Sequence, residues 1–257
     1  LILISNDDSI NAKGLHSLIE VMRSFGKVVV VAPDRVRSAQ SHAVTVEIPL
    51  TLTHIRSEEN LEIYTCSGTP ADCVKMAMFK LLKRKPDLIV SGINHGLNAS
   101  VNVIYSGTMA VVIEGCMHGI PSIGFSLGTY NPDADFAAAK VIVSQIVEKT
   151  LTNKLPHWTC LNVNIPNKPL NELKGIRICR ITKGAWAENF VVRKHPIHKH
   201  DYFWLAGRFV SFEKNVENPI PDDMGSVAND FVSVTPIYVD FTAYRTIETL
   251  EKWNLSL

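Results

Sequence analysis

Short, uninterrupted apolar runs recur through the first half of this chain, and they constrain its fold more than any other feature. Leu1–Ser5, Val28–Ala32, Asp87–Ser91 and Pro121–Ser126 lack the polar alternation of a strand with one face in water. Each therefore reads as a strand buried on both faces, as in a parallel sheet covered by helices. Between the runs lie segments of helical period. Gly14–Phe25 carries Leu15, Leu18, Ile19, Met22 and Phe25; a second helix runs from Thr69 to about Lys83, a third over Thr108–His118, and a fourth from about Asp133 to Leu151. Thr69-Pro70-Ala71-Asp72 opens the second helix, with Thr69 as N-cap, Pro70 at the first helical position and Asp72 as a helix-start carboxylate. This order predicts an α/β fold: a Rossmann-like, doubly wound, mostly parallel sheet.

Residues 44–65 alternate more loosely and predict a short antiparallel excursion. Beyond Pro156 the pattern changes. Cys160–Ile165 reads as a last core strand, and 176–182, 188–193, 202–206 and 231–238 as short strands of a β-rich extension with a projecting hairpin. No repeat or flexible linker interrupts the 257 residues. We expect one domain, with residues 1–155 as the doubly wound core and 156–257 as the last core strand plus an oligomerisation extension.

A formal net charge of +1 gives no basis for broad binding to a nucleic-acid polymer or a membrane surface. No apolar run is long enough to span a bilayer. Leu1–Ile4 is too short for a secretory signal, and a first residue other than Met leaves room for a few residues ahead of it. The five cysteines are widely spread, without zinc-ligand or redox spacing, and are expected to be buried reduced thiols of a cytoplasmic protein. G-x-G-x-x-G after the first strand, G-x-x-x-x-G-K-[ST], H-E-x-x-H and G-x-S-x-G are all missing. Their absence argues against dinucleotide binding, P-loop hydrolysis, zinc proteolysis and α/β-hydrolase chemistry.

In an open parallel sheet, ligands bind beyond the carboxyl ends of the strands, where strand order reverses. That rule selects Ser5–Ser9, Ala32–Ser38 and Ser91–Asn98, three loops rich in oxygen donors. Adjacent carboxylates at Asp7 and Asp8 repel unless a cation compensates, and a hard-oxygen set suits Mg²⁺ or Mn²⁺. The same Asn6-Asp7-Asp8 also reads as a polar turn capping the next helix. Tyr105-Ser106-Gly107-Thr108 precedes an apolar helix whose free N–H groups favour an anion; plain N-capping by Ser106 is the alternative. A metal site and an anion site on one sheet edge together point to phosphoryl chemistry. His195, His198 and His200 sit among Arg193, Lys194 and Lys199 and read as a solvated loop rather than a metal site. Tyr202-Phe203-Trp204 reads as hairpin or subunit packing, with base stacking the weaker alternative.

Taken together, Asn6-Asp7-Asp8, Ala32-Pro33-Asp34-Arg35 with Arg37-Ser38, Gly68–Cys73, Ser91-Gly92-Ile93-Asn94 and Tyr105–Thr108 resemble the signature of the SurE survival-protein family. The resemblance continues more weakly through Cys160–Pro166, Tyr202–Gly207 and Phe231–Pro236. It implies a 5′/3′-nucleotidase that takes nucleoside monophosphates. It also implies one divalent metal ion, Mg²⁺ or Mn²⁺, on Asp7, Asp8, Ser38 and Asn94, with Asp7 and Asp8 as the catalytic pair. Asn94, Ser106, Gly107 and Thr108 would hold phosphate, and a homodimer or homotetramer would form in part through the C-terminal elements.

Two positions depart from the family pattern. Ser9 stands where glycine is usual, which strains the turn if it needs positive φ. Asn98–Asn102 is bulkier than the glycine-rich stretch expected there. The pattern leaves open whether a water molecule or Asp8 attacks phosphorus. The alternative to catalysis is a nucleotide-binding, stress-related oligomeric module whose activity is weak or lost.

Overall fold

The computed structural model describes residues 1–213, 218–253 and 255. Its centre is a nine-stranded sheet in the order β3-β4-β2-β1-β5-β6-β7-β11-β8. In chain order the elements are β1 (Ile2–Ser5), α1 (Lys13–Met22), β2 (Val28–Pro33), β3 (Leu52–Glu58), β4 (Leu61–Cys66) and α2 (Pro70–Met76). They continue with β5 (Leu88–His95), α3 (Asn102–Tyr105), α4 (Gly107–Met117), β6 (Ser122–Leu127), α5 (Ala137–Thr152) and β7 (Thr159–Ile165). The last are β8 (Ile176–Ile178), β9 (Gly184–Lys194), β10 (Asp201–Ser211), α6 (Asp223–Ala228), β11 (Val232–Tyr238) and α7 (Tyr244–Glu251).

The six strands from β4 to β7 in this order pair in parallel, and β1, β2 and β6 among them are buried along their whole length. Alternate residues feed two cores. Ile2, Ile4, Val28, Val30, Leu88 and Val90 face one layer, where they meet Leu15 and Leu18 of α1 and Val143 and Val147 of α5. Leu3, Val29, Val31 and Ile89 face the other, against Cys73 and Val74 of α2 and Val111 of α4. A doubly wound sheet is thus the direct result of strands without a polar face.

From β1 the chain steps outward through β2 to β4; from β5 it steps the opposite way through β6 to β7. Strand order therefore reverses between β1 and β5, which pair with Ser5 opposite Ser91. The loops after these two strands open into one crevice.

Several elements differ from expectation. Residues 44–50 form no strand, and Val46 and Ile48 are exposed there; of the expected excursion only β3 runs antiparallel, as the sheet edge against β4, while β4 pairs in parallel with β2. α2 passes into a π turn at Ala77–Leu81. β5 runs on to His95, four residues beyond the expected end, and carries Asn94 within the sheet. The short strands expected at 188–193 and 202–206 are one hairpin, β9 and β10, with 11 residues in each strand. β11 is no part of an extension: it joins the central sheet between β7 and β8, burying Val232 and Val234.

Candidate active site

The crevice is a cavity of about 310 Å³ lined by Asp7, Asp8, Ser38, Asn94 and Ser106, together with His95, Asn98, Tyr105, Tyr130 and Trp186. β1 delivers the two aspartates and β5 delivers Asn94. The Ser38 loop is tied down by the Arg37 N–H donating to the Asp7 carbonyl (2.7 Å) and by Ser41, whose N–H and hydroxyl donate to the carbonyls of Tyr105 and Ile104. The Arg37 guanidinium in turn donates to the Ser67 carbonyl.

Asp7 and Asp8 are neighbours in unlike surroundings. Asp7 is buried, and its carboxylate accepts from the Thr108 hydroxyl (2.7 Å). Burial pushes its carboxyl up from the ordinary 3.8 to about 6, the Asp8 charge adds to this, and the Thr108 hydroxyl opposes it. Asp8 is half-buried; its Oδ2 accepts from the His95 N–H at 3.1 Å and lies 3.5 Å from His95 Nδ1. The His95 ring is in turn braced edge-on against Phe136. Both carboxylates line the cavity, Asp8 as the more exposed of the two and Asp7 as the more buried.

Asn94 is oriented by its own amide. Its Nδ2 donates to the carbonyls of Gly96 (2.8 Å) and His95 (3.3 Å), so Oδ1 keeps the free acceptor capacity. Two carboxylates, a hydroxyl at Ser38 and an amide oxygen make a hard-oxygen donor set. No lysine or arginine lines this cavity among the described residues. The paired negative charge, already costly at Asp7, has no lysine or arginine in the cavity wall to balance it, and a divalent cation suits it.

The start of α4 differs from expectation. Ser106 lines the cavity and caps the helix, its hydroxyl accepting from the Met109 N–H at 3.1 Å. Thr108, expected to hold phosphate, is fully buried, and its hydroxyl donates to Asp7. The helix N-terminus has an anion of its own in the Asp7 carboxylate. Gly107 makes the approach possible: a Cβ there would stand 2.6 Å from Asp7 Cβ and 2.9 Å from its Oδ2. What remains for a ligand is Ser106 at the rim and the Gly107 N–H, a first-turn donor without an intrahelical acceptor.

A buried ion cluster supports the Ser38 loop from below. Glu114 of α4 is 2% exposed and bonds His42 Nε2 (2.8 Å), Lys75 Nζ (2.5 Å) and His118 Nε2 (3.2 Å). Burial raises its pKa, but the bonds from His42 and Lys75 outweigh burial and bring it down to about 2.

Ser9, the first departure from pattern, has φ +82° and is buried. Its carbonyl accepts from Asn6 Nδ2 (2.8 Å) and the Ala12 N–H (3.2 Å), which hold it in this conformation. The second departure is latched from the other half of the chain. Asn98 bonds Ser126 and Asn164, and its carbonyl accepts from Asn162. The Ser100 N–H donates to Asp223, and the Ser100 hydroxyl donates to the Thr182 carbonyl.

Asp72 completes a capping box with Thr69 and also accepts from the Thr45 N–H. The three histidine rings cluster at the exposed hairpin tip, with centroids 4.8, 4.9 and 6.0 Å apart. Among the described residues no group of three or more His, Cys, Asp or Glu is placed to hold a metal ion; at that tip His195 Nδ1 accepts from the backbone N–H groups of Ile197 and His198. All five cysteines are buried and free. Among the described residues no helix is long and apolar enough to cross a membrane.

Sequence reasoning missed His95, Tyr130 and Trp186. His95 follows Asn94 directly, so its neighbour was signal enough. Trp186 had none, because only the hairpin register brings it to the cavity.

The profile of the family described as survival protein SurE matches residues 2–188. The protein called 5′-nucleotidase SurE in Phocaeicola vulgatus is 47% identical over 257 residues, covering 100% of this chain and 98% of its own. The one so called in Flavobacterium psychrophilum is 48% identical, with the same coverage. The crystal structure of the SurE protein from Aquifex aeolicus superposes with a TM-score of 0.82 at 35% identity, covering 99% of each chain.

Proposed function

This chain belongs to the SurE survival-protein family, and from that premise we propose that it is a nucleotidase, hydrolysing nucleoside 5′- and 3′-monophosphates with the help of one divalent metal ion. The single observation that carries the reading is the crevice at the β1/β5 switch point, where two carboxylates face the capped start of α4. Asp7, Asp8, Ser38 and Asn94 would hold Mg²⁺ or Mn²⁺. Bound there, the ion would supply a Lewis acid that withdraws charge from a phosphoryl oxygen.

The chain's own groups do the rest. Ser106 and the Gly107 N–H offer donors to the phosphate, at the positive end of a helix of 11 residues. Thr108 fixes Asp7, and the His95 N–H fixes Asp8. Asp8 is the more exposed carboxylate, so proton transfer or direct attack falls to it rather than to the more buried Asp7. Buried free thiols support a reducing, cytoplasmic setting.

Exposed apolar side chains on the hairpin and α7 support a homodimer or homotetramer. Phe190, Phe203, Trp204 and Leu205 on the first, and Tyr244, Ile247 and Leu250 on the second, find no cover within the described residues.

Asp8→Asn keeps the shape and removes the charge. We expect phosphate release to fall by roughly a thousandfold or more while circular dichroism and melting stay native-like. A variant with near-normal rate would remove Asp8 from the reaction. Ser9 supports a second reading, since a strained residue beside Asp8 is what a binding module with lost catalysis would tolerate. That reading predicts nucleotide binding without phosphate release.

A further inference from the structure

Asp223, at the start of α6, is a carboxylate with no exposed surface, and no step of the proposed reaction calls on it. It does not cap its own helix, because Asp222 does so by accepting from the Gly225 N–H at 2.8 Å. Its two oxygens serve different segments. Oδ1 accepts from the N–H groups of Thr182 (2.9 Å) and Met224 (2.8 Å). The Thr182 hydroxyl stands between the two carboxylates, 2.7 Å from Asp223 Oδ1 and 2.6 Å from Asp222 Oδ1. Oδ2 accepts from the Ser100 N–H at 2.8 Å, 123 residues earlier in the chain. The latch is double, since the Ser100 hydroxyl donates to the Thr182 carbonyl at 2.7 Å.

A buried carboxylate is tolerated only where donors meet it, so the four groups around Asp223 fix one another in space. Ser100 is held in an unusual form, with φ +59°, in the left-handed region. A residue with a Cβ keeps such a conformation only where its surroundings over-determine it.

Ser100 divides the wall of the crevice. Gly96, Leu97 and Asn98 line the cavity just before it, and Asn102, Tyr105 and Ser106 just after. Residues 96–101 belong to no strand or helix, so individual hydrogen bonds set their course. Asn98 is fastened to Ser126, Asn162 and Asn164 of β6 and β7. Beyond it the next anchor is Ser100, and α3 has only four residues before Ser106 caps α4. A shift of Ser100 therefore reaches the rim where the phosphate donors stand.

We propose that Asp223 is a positioning residue: through Ser100 it holds the wall segment 96–106 in the form that receives the phosphate ester. The inference rests on the nucleotidase reading for the reaction it serves. Asp223 is itself no part of the cavity lining. Asp7, Asp8 and Asn94 stand in or just after β1 and β5, outside the latched segment. A displaced wall therefore weakens the hold on substrate in ground state and transition state alike, which appears in KM.

Asp223→Asn isolates the latch. With its one oxygen kept on Thr182 and Met224, its amide N–H₂ faces the Ser100 N–H, donor against donor. The experiment measures hydrolysis of adenosine 5′-monophosphate with Mn²⁺, Mn²⁺ affinity, melting, and amide hydrogen exchange of the unliganded protein. It compares wild type with Asp223→Asn, Ser100→Ala and Val147→Ala. Val147 is buried in α5, which gives no residue to the cavity, and its truncation controls for lost stability alone.

Asp223→Asn should raise KM at least about tenfold, with kcat and Mn²⁺ affinity within about threefold of wild type. Exchange across 96–106 should quicken by about tenfold or more while α5 stays protected. Ser100→Ala, which removes only the hydroxyl half of the latch, should raise KM by about threefold. Val147→Ala should melt lower at unchanged KM. An unchanged KM in Asp223→Asn, or a rise that Val147→Ala shares, would overturn the proposal, as would weaker Mn²⁺ binding large enough to account for the whole effect. If Asp223→Asn does not fold, Ser100→Ala decides alone, with an unchanged KM as the contrary result. If wild type releases no phosphate, the nucleotidase reading fails by itself. Hydrogen exchange then decides the latch: faster exchange across 96–106 in Asp223→Asn upholds it, and unchanged exchange overturns it.

Discussion

At the scale of the residue, Ser9 shows how much one side chain can reveal. Its φ of +82° is a conformation in which a Cβ crowds the backbone. Replacing it by glycine relieves that contact but loosens the unfolded chain, so the two effects partly cancel. We expect Ser9→Gly to gain about 0.5–1 kcal/mol, read as a higher urea midpoint at unchanged slope, with activity at least equal to wild type. A lower midpoint would mean that the turn accepts serine without strain. Ser9 is legible in the sequence because it interrupts a motif, and Asp7, Asp8 and Asn94 because they stand in the loops two or three residues beyond an apolar run. The partner of Thr108 was not legible. That its hydroxyl turns toward Asp7 rather than the cavity depends on how closely α4 approaches β1, which the missing Cβ of Gly107 sets.

At the scale of the element, β1, β2, β5 and β6 and the helices between them follow from periodicity, because strands buried on both faces carry a clear signal. The misreadings share a cause in pairing partners that local sequence does not encode. β11 contains Pro236, which argues for an edge, yet it lies inside the sheet. β8 covers only Val232–Val234, so the missing N–H falls where no neighbour needs it. The hairpin reads as short pieces in the sequence because both of its faces are largely exposed, which blurs the alternation.

The loop carrying Ser38 has no regular structure and depends on its tethers, of which Glu114 with His42 is the buried one. With its pKa lowered from the ordinary 4.5 to about 2, Glu114 is more acidic folded than unfolded. Its contribution, roughly 3 kcal/mol, is therefore fully present above pH 4.5 and is lost as pH falls toward 2. Glu114→Gln should lower stability at neutral pH and flatten the acid limb of a stability–pH curve. A variant whose acid limb runs parallel to that of wild type would place the effect elsewhere.

At the scale of the whole molecule, one architecture brings three loops, two helix starts and a hairpin to the same edge of the sheet. Its uncovered apolar surface, on β9, β10 and α7, is extensive for a lone chain. We expect sedimentation or light scattering to give two or four copies per particle at micromolar concentration. Charged substitutions at Phe203 and Leu250 should shift it toward the monomer, and a wild-type monomer would contradict the assignment of that surface.

The central claim is metal-dependent hydrolysis at the β1/β5 crevice, and it is tested most directly by inorganic phosphate release from nucleoside 5′- and 3′-monophosphates. The assay compares Mn²⁺, Mg²⁺ and a chelator with the same folded protein. We expect release with at least one of the two metals, none with the chelator, and recovery when metal is restored. Release that continues undiminished in chelator, or no release with either metal from protein that binds nucleotide, would contradict it.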